Sequence, residues 1–532
     1  MAKTVTKKVQ PAIKNVKSIE EYIDKYFWIV IPLFAVIYYM SSRYSTGFYQ
    51  YDEVAQYINM LDFWKDPWAI LGNAPKPGYK IFMVLPAFFG YDTVLFVNSL
   101  IASLTVYLTF KLIKLYEIKY AFFGALLLAA QPTFFDISFR SYPEIFTALL
   151  FVIFLILYKK EYYLWSALLV GFIFTVRQEI ALLGIILTLI FIKEKRFKEI
   201  IALAVFPLIY NFLGYLMKGD WLYVYSEMRN ISAFEYKMEY PKFYHYAQTY
   251  IFVVGPVSFL LFMQGFFSFF ADKPKMKEYF KKYFLFYVIF ILIMAVHTGT
   301  MLIKANPGNW RYILHISPIC AFFATIGLNN LIDTKFKKYN YVITGIVVLV
   351  TFAFLSRTTD GRVLTDVSDY TKVLFLLIAF AVYSVFSAKI PNDYLNKVSV
   401  LLFATAVIYL GINFKPKVLG IEDLTVKNAT EQINVKNFKD RNFYTNHPLV
   451  KYYSNDYKND PSKFQPLNSR TLSTAPKGSI MAWDTHFGYR PDSVWKCDIK
   501  LEFLQDTVNY RLLNLFPSSD KRFALYFFEK LN

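Results

Sequence analysis

The chain has 532 residues, 56% of them hydrophobic and 20% aromatic, with 55 Phe, 43 Tyr and a formal net charge of +19. Its apolar runs show little amphipathic periodicity, which excludes a soluble core protein. The positive balance suggests nucleic acid, but the Lys and Arg residues gather in short loops between apolar runs, and that distribution excludes nucleic acid as the partner.

Taken in order, apolar runs of roughly 16–22 residues recur almost from end to end, the length that crosses a ~30 Å hydrocarbon layer. Helices are the only spanning structure such runs permit. The sequence predicts thirteen spans, at 26–42, 92–112, 119–137, 143–158, 162–176, 180–193, 198–217, 249–271, 283–300, 311–331, 340–356, 371–388 and 397–413. A further apolar stretch, Ile81–Phe89, is too short to cross and carries Pro86, so it is expected to be re-entrant or interfacial. Basic residues mark alternate loops, at Lys111/Lys114/Lys119, Lys159/Lys160, Lys193/Lys195/Arg196/Lys198, Lys273–Lys282 and Lys335/Lys337/Lys338. The tail 1–25 adds Lys3, Lys7, Lys8, Lys14 and Lys17. The positive-inside pattern then puts the N-terminus in the cytoplasm, and thirteen crossings put the C-terminus outside. The first 25 residues are too polar for a signal peptide, so the first span is expected to stay as an anchor. Cys320 falls in a span and Cys497 in the tail, which argues against a disulfide between them.

The outer side receives 47–91, 135–143, the turn 177–179, 218–248, 297–310, 357–370 and everything after about 413. It therefore holds nearly all the mixed acidic, basic and aromatic content, and any active site is expected there. Asp52 and Glu53 follow the first span directly. Two adjacent carboxylates at the exit of a membrane helix are costly near lipid and point to water or a cavity. Next come Asp136, Arg140, Pro143 and Glu144. Pro143 and Glu144 suit the first turn of a helix, while Arg140 has the planar fork of a phosphate ligand. Arg177 and Glu179 are confined to a three-residue turn, either as a plain ion pair or as a functional one. The loop 221–250 is Tyr-rich, which fits an interfacial aromatic belt first and sugar stacking second. Lys304 and Arg311 either bind a phosphate or snorkel to headgroups, and Arg311 opens its helix with no acid adjacent in sequence.

Four of these segments together resemble the GT-C superfamily of polytopic glycosyltransferases. Within it they are most similar to the lipid-phosphate-mannose-dependent mannosyltransferases that build dolichol-linked oligosaccharides and glycosylphosphatidylinositol anchors. That family's His-Pro-Asp-Glu with a following aromatic-Gln pair resembles Gln50-Tyr51-Asp52-Glu53-Val54-Ala55-Gln56-Tyr57. Its Arg-x-x-Ser-Asn-x-x-Glu segment resembles Arg140-Ser141-Tyr142-Pro143-Glu144, and its Arg-Pro-Thr turn resembles Arg177-Gln178-Glu179. Its His-Lys-Glu-x-Arg-Phe…Pro segment resembles Asn309-Trp310-Arg311-Tyr312-Ile313-Leu314-His315-Ile316-Ser317-Pro318. The likeness covers roughly 25–330. His-Pro, Pro-Thr and Lys-Glu of those motifs are replaced here, which leaves the sugar and acceptor open.

The resemblance implies an all-α, GT-C-type polytopic membrane protein. Its implied activity is inverting transfer of mannose or a related hexose from a polyprenyl-phosphate donor to a hydroxyl of a glycan, lipid or protein. Asp52 would be the general base and Glu53 would orient it or the acceptor. Arg311 first, then Arg177, Arg140 and Lys304, would hold the donor phosphate. Gln56, Glu144, Glu179 and Tyr312, in the same matched segments, are assigned to substrate binding. No cofactor is implied, and a divalent metal is not expected for such a leaving group. Usage heavy in Lys, Tyr and Phe suggests a bacterium, hence an inner-membrane protein with a periplasmic C-terminus; in a eukaryote the membrane would be the endoplasmic reticulum.

The expected organisation is a cytoplasmic tail 1–25, a transmembrane domain 26–413 with a catalytic first outer loop 43–91, and a small α/β domain 414–532 outside. In that last part, strand-like 442–445, 479–483 and 523–528 accompany helix-like 448–454. Asp484-Thr485-His486 is expected to cap a loop rather than bind metal. A lipid-linked-sugar flippase and an O-antigen polymerase or ligase share the topology. The flippase would place ionisable groups at mid-bilayer, and neither the polymerase nor the ligase explains the acidic pair after the first span.

Overall fold

The computed structural model describes residues 19–72, 76–230, 243–271, 273–303, 305–332, 336–355, 371–387, 395–433, 441–454, 457, 460–491 and 497–532. Lys304 and the middle of the Tyr-rich loop lie outside the described residues. The chain is an integral, multi-pass membrane protein, and helix occupies each of the thirteen expected spans. Among the described residues, Tyr22–Tyr44, Tyr91–Leu115, Phe197–Lys218, Met276–Leu302 and Trp310–Leu331 are each long and apolar enough to cross alone. Others are shorter, such as Tyr163–Val176 and Ala181–Lys193.

Two expected spans are not continuous helices. The span at 119–137 divides into Ala121–Ala129 and Pro132–Ile137, because Pro132 has no N–H to continue the ladder. The span at 249–271 is a pair of helices bent by 118° between Val254 and Pro256. Gly255 takes φ +80 there, a conformation that suits glycine. The two breaks touch: a Cβ on Gly255 would stand 3.2 Å from Pro132 Cδ. Elsewhere, small residues let helices approach closely. A Cβ on Gly265 would lie 1.8 Å from the Phe323 carbonyl oxygen, and one on Gly327 2.0 Å from that of Leu261. The helices Pro256–Phe266 and Ser317–Ile332 therefore cross backbone against backbone.

The stretch expected to be interfacial is a 12-residue helix, Pro77–Phe88. At 1.5 Å per residue it is too short to span. One face, with Tyr79, Lys80 and Met83, is buried, and Phe82, Leu85 and Phe88 are exposed on the other.

The tail has one five-stranded sheet in the order β2-β1-β3-β7-β6, where β1 is Phe443–Thr445, β2 Phe464–Gln465, β3 Ile480–Asp484, β6 Tyr510–Pro517 and β7 Ala524–Lys530. β1 pairs in parallel with β2 and β3, and β7 runs antiparallel to β3 and β6. A small hairpin of β4, Tyr489–Arg490, and β5, Cys497–Asp498, stands apart. Both cysteines are buried, and they form no disulfide with each other.

The acidic helix Tyr51–Asp62 joins the two cores. Its Val54 and Ile58 pack with Val426, Phe443, Leu449 and Ile480 of the tail, while Tyr57 and Met60 pack into the bundle. The loop before it is clamped by the segment that enters the tail: Gly47 N–H donates to the Lys417 carbonyl at 2.8 Å. A Cβ on Gly47 would fall 2.3 Å from the Val418 carbonyl oxygen.

Candidate active site

Asp52 and Glu53 stand in the first turn of the acidic helix, where the helix dipole favours negative charge. Consecutive helical residues point about 100° apart, so the two carboxylates diverge. Glu53 turns inward. It accepts from Tyr91 Oη at 2.5 Å, Tyr49 N–H at 2.9 Å and Arg140 Nη1 at 3.2 Å. Asp52 turns outward, its side chain 59% exposed, and accepts from Arg311 Nη2.

Arg311 is positioned by its own turn. The stretch Trp310–Ile316 is capped by Asn309, whose Oδ1 accepts from Arg311 N–H at 3.2 Å. Asn309 Nδ2 in turn donates to Gln50 Oε1 at 2.8 Å, tying this turn to the start of the acidic helix. The guanidinium lies over Tyr142, 4.3 Å from the ring centre, and Nη1 donates to Glu144 Oε1 at 3.3 Å.

Glu144 is fully buried and also accepts from Arg177 Nη1 at 3.3 Å. Arg177 Nε donates to Glu179 Oε1 at 2.6 Å, and the same oxygen is 3.4 Å from His297 Nε2. Tyr312 stacks on His297 at 5.7 Å and lies 5.5 Å from the Arg177 guanidinium. Lys76 joins from the side, its Nζ donating to Gln178 Oε1 at 2.8 Å. Asp52, Arg311, Glu144, Arg177, Glu179 and His297 thus form one polar row drawn from five parts of the chain.

Arg311 has no acid adjacent in sequence. In the fold it has two, Asp52 and Glu144, which sequence adjacency does not show because both come from distant segments. Arg177 and Glu179 do form the local pair, and Glu144 extends it. Arg140 is 1% exposed and held by Glu53, Asp136 and the Gly47 carbonyl. Those partners make it a counter-charge for Glu53. Gln56 sits one turn beyond Asp52, half-buried on the same helix.

Sequence reasoning missed Lys76 and Lys80. Lys76 precedes the helix Pro77–Phe88 with φ +58, and burial together with the charge of Arg177 pushes its ammonium down to about 8. Lys80 is fully buried, and among the described residues its Nζ has no hydrogen-bond partner. Their signal was two lysines flanking Pro-Gly at the head of a short apolar stretch. His315, quoted in a motif segment without a role, and His297, at the start of the outer segment 297–310, also come to this end of the bundle. Several buried atoms here have no hydrogen-bond partner among the described residues: Glu144 Oε2, Arg311 Nε and both ring nitrogens of His315. Unmet buried polar groups are expensive, and their concentration at one place marks binding capacity.

No family model and no curated protein sequence matches the chain. Among solved structures it is similar to ArnT from Cupriavidus metallidurans bound to undecaprenyl phosphate, with a TM-score of 0.58 and 11% identity over 96% of this chain and 98% of that one. ArnT in the apo state gives 0.58 and 10% identity over 95% and 98%. At this identity the likeness establishes the fold: the chain shares the fold of ArnT along nearly its whole length.

Proposed function

We propose that this protein is a membrane glycosyltransferase that moves a sugar, mannose or a related hexose, from a polyprenyl-phosphate donor to an acceptor hydroxyl with inversion. The observation that carries the reading is Asp52, an exposed carboxylate paired to the buried Arg311, with Arg177 the next cation in the row. An exposed base beside buried cations is what this transfer needs. The shared fold with ArnT, solved with undecaprenyl phosphate, supports a lipid phosphate as the leaving group.

In the proposed step the acceptor oxygen attacks the anomeric carbon as its proton passes to Asp52. The bond from that carbon to the phosphate oxygen breaks, and its electron pair leaves with the lipid phosphate. Arg311, Arg177 and Lys76 stabilise the added charge. A phosphate oxygen seated on the Arg311 fork replaces Asp52 there and frees the carboxylate for the acceptor. Glu53 and Arg140 hold the helix start, and Gln56 and Tyr312 face the substrate. The acceptor is a glycan, lipid or protein.

The loop charges support an orientation with this end of the bundle, and a tail domain of about 414–532, away from the cytoplasm, in a bacterial inner membrane. Incubating the purified protein with polyprenyl-phosphate sugars, each radiolabelled in the sugar, and native membranes tests the reading. Label should move from the donor to an acceptor for one sugar class. Label that crosses a vesicle membrane still attached to its lipid would show a flippase instead.

A further inference from the structure

Glu179, His297 and His315 come together from three elements: the turn before Ala181–Lys193, the end of Met276–Leu302, and the stretch Trp310–Ile316. One ligand atom of each lies within 4.8 Å of the others. His297 and His315 are buried; His297 Nε2 faces Glu179 Oε1, and among the described residues neither nitrogen of His315 has a hydrogen-bond partner. A neutral imidazole sealed from water with both nitrogens unmet costs stability unless something fills the place.

We propose that Glu179, His297 and His315 form a binding site for a divalent transition-metal ion, with Zn2+ favoured by the donor set. Two imidazoles and one carboxylate are ligands of the type and number that leave a fourth position open on zinc. Ligand atoms about 2.1 Å from a tetrahedral ion stand roughly 3.4 Å apart. Glu179 Oε1 and His297 Nε2 are already 3.4 Å apart, so side-chain adjustment at His315 completes the set. Arg177 steers the carboxylate from behind through Nε, and Asn306 Nδ2, 3.5 Å from His297 Nδ1, is the group placed to orient that ring. The charge of Arg177 opposes a dication, and Glu144 and Glu179 offset it.

The site goes beyond the transfer reading and departs from the metal-free expectation drawn from the sequence. A sugar hydroxyl is the rival occupant, since imidazoles and a carboxylate also hold hydroxyls. A second His-Glu group, Glu422 with His447 and His486 in the tail, is the rival place for an ion.

The full chain, purified in detergent and stripped with a chelator, is titrated with Co2+ and then Zn2+, with absorption read in the visible. About one Co2+ per chain should bind with the bands of a four-coordinate site, and Zn2+ should displace it. His297→Ala and His315→Ala should each weaken binding more than about tenfold, whereas His447→Ala and His486→Ala should leave it unchanged. Absence of visible bands in the wild-type protein overturns the proposal whatever the variants do. So does an ion retained in His315→Ala and lost in His447→Ala. Sugar transfer is not read in this experiment, so failure of the transfer reading and failure of the metal site are separate results.

Discussion

Two polar clusters meet the acidic helix, one from the bundle and one from the tail, and they differ in how completely they are satisfied. On the tail side, Glu422 Oε1 takes His447 Nε2 at 3.2 Å and His486 Nδ1 at 2.7 Å, while Tyr51 Oη donates to Asp423 Oδ1 at 2.8 Å. Nearby, Asp484 Oδ1 caps the turn at His486 and Phe487, as the loop-capping expectation had it, and Asp484 Oδ2 is the one atom of this group without a hydrogen-bond partner among the described residues. On the bundle side, the row from Asp52 to His297, with His315 beside it, leaves Glu144 Oε2, Arg311 Nε and both nitrogens of His315 unmet among the described residues. Tyr51 and Asp52 are neighbours, yet one serves a clasp and the other a row with spare donors and acceptors. A satisfied network holds parts together; an incompletely satisfied one waits for a ligand.

The difference can be broken at single residues. Glu53 belongs to the structural side despite its place beside Asp52. Glu53→Ala should destabilise the protein by about 3–5 kcal/mol, because it strands the buried Arg140 guanidinium. Asp136 keeps one contact with that guanidinium, so a value at the lower end is expected. Thermal melting in detergent reads this, and a loss below about 1 kcal/mol would remove the anchoring role.

Arg311 tests the ligand-binding side. Arg311→Ala should weaken polyprenyl-phosphate-sugar binding by about 1.5–3 kcal/mol, the range for a charged hydrogen bond. Arg311→Lys should fall between, since the fork is lost while charge remains. Titration of the donor against each variant checks it. Unchanged affinity in Arg311→Ala, with Arg177→Ala impaired, would move the phosphate contact to the 177–179 turn.

The clasp should respond to acid. Burial works against the charged form of Glu422, but hydrogen bonds from His447 and His486 outweigh it and hold the carboxyl well below its ordinary range. A carboxylate depressed in this way stabilises the fold above its unfolded value near ~4.3 and loses that contribution as pH falls toward the folded value. Wild-type melting temperature should therefore drop more steeply than that of Glu422→Gln between about pH 5 and about pH 3. At neutral pH the variant should be less stable by about 1 kcal/mol. Parallel pH profiles would remove Glu422 from the clasp.

The smallest effect concerns Lys76. With its ammonium pushed down to about 8, donor affinity should weaken a few-fold as pH rises through and beyond that value. Lys76→Met should bind more weakly at neutral pH and lose the pH dependence. Retention of that dependence in the variant would assign it to another group.

Much of this was legible in the sequence, for physical reasons that also mark the limits. Each apolar run became helix because no other structure buries its backbone polar groups in lipid. Strands β1, β3 and β7 in the tail were readable from short apolar runs between polar turns. The breaks at Pro132 and at Gly255-Pro256 were written in the residues, yet hydropathy averages over them. The division of labour between Asp52 and Glu53 depends on helix phase relative to two cores, which one sequence does not show. The acids of Arg311 lie 259 and 167 residues away in the chain. Lys76 and Lys80 were passed over because the stretch beside them was read for its apolar length alone.

The most direct test of the central claim is Asp52→Asn, measured for donor binding and for sugar transfer on the same preparation. Donor affinity should be kept or rise, since the carboxylate no longer competes with the phosphate for Arg311, and transfer should fall by roughly 10²–10⁴-fold, the range for loss of a general base. Near-normal transfer in Asp52→Asn would contradict the account and take the chemistry away from this carboxylate.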